Sequence, residues 1–376
     1  MPPRIVLAPD KFKGSLTAGE VAEAVAAGIR RVRPDADIRW VPVADGGEGT
    51  VDAAVAAGFD CTTVEVTGPT GAPVRAGFAH NGTVAVVEAA AACGLSRLPG
   101  GMLAPLTATS RGVGELLLAA LDSGCRTVVL GVGGSACTDG GAGMLAGLGA
   151  SLLDADGLPV GSGGGSLTDI AYLDLHQLDP RIHEVDLVLA SDVDNPLLGT
   201  HGAAAIFGPQ KGASAGEVAA LEAGLAHWSR LVAQRTGFDV ADRPGAGAAG
   251  GIGFGALAVL GARRSGGIDV MLDLVGFDRV VKGADLVVTG EGSLDEQTLH
   301  GKAPAGVAAR AEKAGVRTVA VSGRLLLDEG QWRAAGFTAA YPLTALEADL
   351  QRCQDEAASL LERQGELIAR EQLTTP

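Results

Sequence analysis

Residues 4–20 read Arg-Ile-Val-Leu-Ala-Pro-Asp-Lys-Phe-Lys-Gly-Ser-Leu-Thr-Ala-Gly-Glu. Residues 4–8 form a short apolar run, which reads as a strand, and the run breaks into a polar loop at Pro9. Thr17 and Glu20 then have the spacing of a capping box, in which each side chain reaches the other's backbone N–H, so an alanine-rich helix is expected from there to about Arg33. The same order follows at once. Residues 38–43 predict a strand, Ala44-Asp-Gly-Gly-Glu-Gly-Thr50 a loop, and the residues beyond it a helix. Two strand-then-helix units in succession imply a parallel sheet with helices on its faces, hence an α/β fold.

Further along the pattern changes. Residues 61–67, 73–80 and 83–88 are closely spaced strand candidates, the last two joined at Asn81-Gly82, a hairpin signal. A helix over 109–121, strands over 126–130 and 185–190 and a helix over 215–236 follow. The run Gly161-Ser-Gly-Gly-Gly-Ser166 reads as a flexible loop, and 245–255 as a loop of close backbone approach entering a helix. From 284 the strand-then-helix order returns, with a helix over 303–314, a strand over 317–322 and a closing helix over 346–370. The middle of the chain therefore reads as an insertion between two parts of one α/β domain.

The composition narrows the function. At 376 residues and 47% hydrophobic content the chain can bury more than one core. No apolar run is long enough to cross a bilayer, and the first ten residues are too short of apolar residues for a secretory signal. Five scattered cysteines without a CxxC pair fit neither a disulfide framework nor a zinc site, and a reducing cytoplasm is the expected location. A net charge of −15 argues against a broad nucleic-acid surface. Only six of the 29 basic residues are lysines, and four of them (Lys11, Lys13, Lys211, Lys302) lie in or beside loops bearing glycine or proline. A compact ammonium there suits point contacts to phosphate or carboxylate.

Ligands of open parallel sheets bind outside the carboxyl ends of the strands, and five polar loops occupy such places, after residues 8, 43, 130, 190 and 288. Gly131-Val-Gly-Gly-Ser-Ala-Cys-Thr-Asp-Gly-Gly141 offers backbone N–H groups to an anion, although a tight turn needs the same glycines. Asp192 and Asp194 suit a proton acceptor or a Mg²⁺ ligand, or else simple turn formation. For Glu88 and Arg111 a structural ion pair is the plainer reading. Known nucleotide signatures are absent: Gly301-Lys302 is followed by Ala303, so there is no P-loop. One rival survives. Gly131, Gly133 and Ala136, with Asp154 further on, imitate a dinucleotide fingerprint, so an NAD(P)-dependent oxidoreductase of a small hydroxy acid is the alternative. A binding protein for small acids is a second one.

Taken together, Ala8-Pro-Asp-Lys-Phe-Lys-Gly-Ser-Leu-Thr-Ala18, Pro42-Val-Ala-Asp-Gly-Gly-Glu-Gly-Thr50, Gly133-Gly-Ser-Ala136 with Asp139-Gly-Gly141, Ala190-Ser-Asp-Val-Asp-Asn-Pro-Leu197, Phe207-Gly-Pro-Gln-Lys-Gly212 and Thr289-Gly-Glu-Gly-Ser-Leu-Asp295 resemble the bacterial glycerate kinase family, of the glycerate 2-kinase type. Cys137-Thr138 departs from the Thr-Asn often found there. The resemblance implies a flavodoxin-like domain from both chain ends (1–68 and 283–376) and an inserted α/β domain of restriction-enzyme-like fold (69–282), with the active site in the cleft between them. It implies ATP and Mg²⁺ as cofactors and phosphorylation of D-glycerate, at the 2-hydroxyl, in organic-acid catabolism. Glycerate and ATP are then the partners, with neither nucleic acid nor membrane; a homodimer stays an open option.

Chemistry applied to the matching motif positions assigns the roles. Asp192 orients and deprotonates the attacking hydroxyl, with Asp45 as its competitor. Lys13 and Lys11 hold phosphate or the glycerate carboxylate beside Ser15, and Arg111 is a further carboxylate candidate. Gly133, Gly134 and Ser135 lie against substrate or phosphate oxygens. Gly290 and Glu291 belong to the binding set, Asp194 and Asp295 to the metal, with Glu291 able to share that role. Gln210 and Lys211 close over the ligand.

Overall fold

The computed structural model describes residues 2–300 and 302–373. The chain divides into two compact units. The first is Met1–Asp45 with Ile268–Pro376, and the second is Gly46–Gly267.

The first unit is built on a five-stranded sheet in which every pairing is parallel. In space the strands run Asp37–Trp40, Arg4–Pro9, Leu286–Leu294, Thr318–Leu325, Phe337–Pro342. Counted in chain order within the unit this is 2-1-3-4-5, the flavodoxin-like order. The apolar run at the N-terminus is continuous because both faces are covered. Ile5 and Leu7 face a cluster with Val25, Ile29, Leu360 and Leu361. Val6 and Ala8 face another with Leu272, Phe277 and Val307. On the first face the helices Ala18–Val32 and Ala357–Gln372 come so close that a Cβ on Gly28 would sit 1.9 Å from the Glu362 carbonyl oxygen. The capping box is present, with Thr17 and Glu20 bonding reciprocally.

The second unit holds a six-stranded mixed sheet in the order Arg263–Ser265, Asp186–Ala190, Thr127–Gly131, Val84–Glu88, Pro73–His80, Asp60–Thr67. The first four run parallel and the last two join antiparallel. The hairpin signal holds: Gly82 has φ +80°, and Asn81 Oδ1 accepts from the Thr83 and Val84 amides. Trp228, Phe78, Phe254 and Leu130 centre the core. Helix Ala215–Thr236 occupies its expected bounds.

Three expectations change. The units part at 45/46 and 267/268, not at 68/69 and 282/283. Strand Asp60–Thr67 pairs along its whole length with Pro73–His80 and so belongs to the second sheet, while Ile268 and Leu272 pack into the first unit's core. The glycine run at 161–166 is a packed turn: a Cβ on Gly164 would lie 2.2 Å from the Thr138 carbonyl oxygen, so glycine is there for proximity. The closing helix is two, Leu350–Asp355 and Ala357–Gln372.

Candidate functional site

In the first unit the sheet register brings acid together. Pro9 pairs with Gly290, so Asp10, just past the end of strand Arg4–Pro9, is level with Glu291, which lies inside strand Leu286–Leu294 and pairs with Ser322. The Asp10 amide continues the ladder onto the Gly290 carbonyl at 2.8 Å, and the Lys11 amide donates to Asp10 Oδ1 at 2.7 Å. Burial, then the charge of Asp45, raise the Asp10 carboxyl to about 7, with Glu291 adding to the rise against the amide and charge of Lys11. Glu291 is buried, and burial raises its pKa as well; the Asp295 charge adds to that. Thr298 Oγ1 donates to Glu291 Oε1 at 2.6 Å, and Lys302 Nζ stands 3.5 Å from Oε2, both favouring the ionised form. Asp45 and Lys11 are partly buried, and Lys13 is exposed on a loop whose backbone lies against Gly292.

Sequence reasoning missed Asp10. It lies inside a quoted motif and directly after a predicted strand, and that position was the available signal. Ser15 stands apart from the acid group, its hydroxyl donating to the Gln354 carbonyl at 2.7 Å. Asp295 Oδ1 accepts from the Gln297 amide, and the Asp295 amide donates to Thr298 Oγ1, which ties it to the segment holding Glu291.

In the second unit the loop 131–141 leaves strand Thr127–Gly131 against the backbone of Gly46 and Gly47. A Cβ on Gly133 would lie 2.5 Å from Gly47 Cα, and one on Gly131 would lie 2.5 Å from the Gly46 carbonyl oxygen. Asp139 is fully buried, and burial raises its pKa despite four donors: the Ser110 amide and hydroxyl and the amides of Gly141 and Gly143. It organises the loop from within. Lys211 is also buried, with 2% of its surface exposed; its ammonium donates to the Cys137 carbonyl at 2.5 Å and to Ser135 Oγ at 3.1 Å. Burial lowers its pKa. Gln210, one residue earlier, is exposed.

Asp192 follows strand Asp186–Ala190, is partly buried, and accepts at Oδ1 from the Gly267 amide at 2.8 Å. Asp194 is exposed and pairs with Arg264 at 2.6 Å, which competes with a metal for its oxygens. Arg111 pairs with Glu115 one helical turn on, and Glu88 accepts from the Val51 amide at 2.5 Å, so both have structural partners. Asp154, the residue the dinucleotide reading needs, has its Oδ1 engaged by the amides of Asp156 and Leu158 in a turn. Among the described residues no group of three or more His, Cys, Asp or Glu is arranged to hold a metal ion by itself. Mg²⁺ in phosphoryl transfer commonly takes only one or two carboxylates, with phosphate and water completing its shell. Glu291 and Asp295 fit that donor chemistry: both are oxygen donors, and the Asp295 charge disfavours ionisation of Glu291.

The model of the glycerate kinase family matches residues 5–373. The chain is 45% identical over 370 residues to the glycerate kinase of Bacillus subtilis (strain 168), covering 97% of each. It is 45% identical over 341 residues to the glycerate 2-kinase of Escherichia coli (strain K12), covering 90% of each. A solved structure from Salmonella typhimurium LT2, described as a candidate glycerate kinase 2, superposes with a TM-score of 0.86 at 40% identity and 98% coverage of each chain.

Proposed function

Because the chain belongs to the glycerate kinase family, we propose that it transfers the γ-phosphoryl group of ATP to the 2-hydroxyl of D-glycerate, giving 2-phosphoglycerate and ADP in organic-acid catabolism. The observation that carries the reading is the family match along residues 5–373, joined to 45% identity with a protein named glycerate 2-kinase. The nicotinamide alternative loses its support, since Asp154 is engaged in a turn.

The transfer asks for an anion cradle, a proton acceptor for the attacking hydroxyl and neutralisation of developing charge. Backbone amides of Gly133 and Gly134 with Ser135 supply the cradle. Asp192, held by the Gly267 amide, takes the hydroxyl proton, with Asp45 as the competitor. Lys11 and Lys13 meet phosphate or carboxylate oxygens. Glu291 and Asp295 would hold Mg²⁺, which when bound to the nucleotide draws off the charge that builds on the transferring group. All five cysteines are free, and among the described residues no helix is long and apolar enough to cross a membrane; a cytoplasmic place is part of the proposal.

Purified protein with MgATP and D-glycerate should release ADP, and NMR of the product should show phosphorus on the oxygen at carbon 2. No ADP with either enantiomer overturns the reading, phosphorus at carbon 3 overturns its regiochemistry, and full activity in excess chelator overturns the metal.

A further inference from the structure

The motif around Lys211 pointed to a lysine that meets the ligand directly, yet the structure turns that side chain inward. Its ammonium, 2% exposed, is held by one carbonyl and one hydroxyl, and among the described residues it makes no ion pair. Burying an ammonium without a carboxylate partner is costly, and packing alone would be served by methionine. Asp139 is near enough to favour the charge, but its own oxygens are occupied by Ser110, Gly141 and Gly143. The side-chain nitrogen therefore lies behind the loop with no carboxylate bonded to it.

The hydroxyl it touches is the informative partner. A serine oxygen has one proton to donate and two lone pairs. Lys211 occupies a lone pair of Ser135, and among the described residues nothing accepts the proton. The amides around it differ in the same respect. Ala136 donates to the Cys93 carbonyl, while those of Gly133, Gly134 and Ser135 have no acceptor among the described residues. Successive uncommitted amides, a hydroxyl proton and a buried cation form a set of donors that lacks only an anion.

We propose that Lys211 is a positioning residue acting through Ser135: it fixes the serine oxygen from inside the unit, so that the hydroxyl proton and the three amides hold one oxyanion of the ligand, with the lysine charge behind them. The oxyanion is either the carboxylate of glycerate or a phosphate of ATP, and the inference rests on the phosphoryl-transfer reading for that choice.

Calorimetric titration of wild type, Ser135→Ala, Lys211→Met, Lys211→Arg and the Ser135→Ala/Lys211→Met double variant separates the sources, with D-glycerate in one series and MgATP in the other. Affinity for one ligand should fall about 10–100-fold in Lys211→Met, the scale of a charged hydrogen bond. It should hold for the other ligand, recover in part in Lys211→Arg, and fall little further when Lys211→Met is added to Ser135→Ala. If Lys211→Met does not fold, Ser135→Ala decides, since it keeps the buried ammonium and should lose the same ligand. Equal loss for both ligands, unchanged affinity for both, additive losses in the double variant, or no binding of either ligand by wild type overturns the proposal. Wild type that binds one ligand selectively through Ser135 but forms no ADP overturns the kinase reading and leaves this one standing.

Discussion

The sheet end of the first unit and the glycine loop of the second treat charge in opposite ways. In the first, carboxylates crowd: Asp10 feels Asp45 and Glu291, Glu291 feels Asp295, and one consequence is an aspartic acid that keeps its proton to about pH 7. In the second, residues 133–135 carry no side chain larger than serine, and a lysine is buried beneath them with its ammonium on the Ser135 hydroxyl. A site that moves a phosphoryl group needs both kinds of surface, one to receive cations and protons and one to receive anions. The contrast teaches that the two halves of such chemistry can be built by different means. On the proposed reading, crowded side chains supply one and backbone amides the other.

The hardest blow to this contrast would fall on Asp192, an acid in the unit otherwise assigned to anions. Asp192→Asn should lower kcat about 10²–10⁴-fold in a glycerate-dependent ADP assay. A rate near wild type would move proton acceptance to the acid group of the first unit, and make the division of labour complete.

Asp10 tests the acid side through stability. Its carboxyl titrates near 7 when folded and near 3.8 when unfolded, so between those values the folded chain holds an extra proton and stability falls as pH rises. The loss reaches up to about 4 kcal/mol above pH 7 and vanishes below pH 4. Asp10→Asn should be level with wild type near pH 4 and increasingly more stable toward pH 8, as followed by urea unfolding. A constant offset across that range would mean that the crowding does not hold Asp10 protonated.

Gly133→Ala tests the glycine side. The added methyl would press on the Gly47 backbone, and a loss of about 1–3 kcal/mol is expected with a sharp drop in turnover. An unaffected variant would show a loop free to move aside. The smallest effect belongs to Arg111→Ala. Its pairing with Glu115 is half-exposed, so under 1 kcal/mol of stability and less than about a threefold change in KM for glycerate are expected. A larger rise in KM would restore Arg111 to the ligand.

What could be read beforehand follows the range of the forces involved. The Thr17–Glu20 box, the Asn81-Gly82 turn and helix Ala215–Thr236 are set by neighbours within a few residues, and each was legible. Strand Phe337–Pro342 and the all-polar strand Arg263–Ser265 went unread, the second because an edge strand needs no apolar run and only its partner defines it. The binding loops were legible as loops. Which way Lys211 turns, and that Asp10 faces Glu291 from 281 residues away, depend on packing that no local window contains.

The insertion leaves its mark on how the chain is made. Strand Arg4–Pro9 and one neighbour, Asp37–Trp40, precede the second unit, yet the other neighbour, Leu286–Leu294, emerges only after all of it. At about 5–20 residues per second this is a wait of roughly 14–56 s. Meanwhile Ile5, Val6 and Leu7 have residues 38–40 to pair with on one side and lack their partner on the other. The second unit, contiguous from Gly46 to Gly267, can complete its core on the nascent chain, and the first closes last. Strand Arg4–Pro9 is thus made before the second unit but completes its pairing only after it.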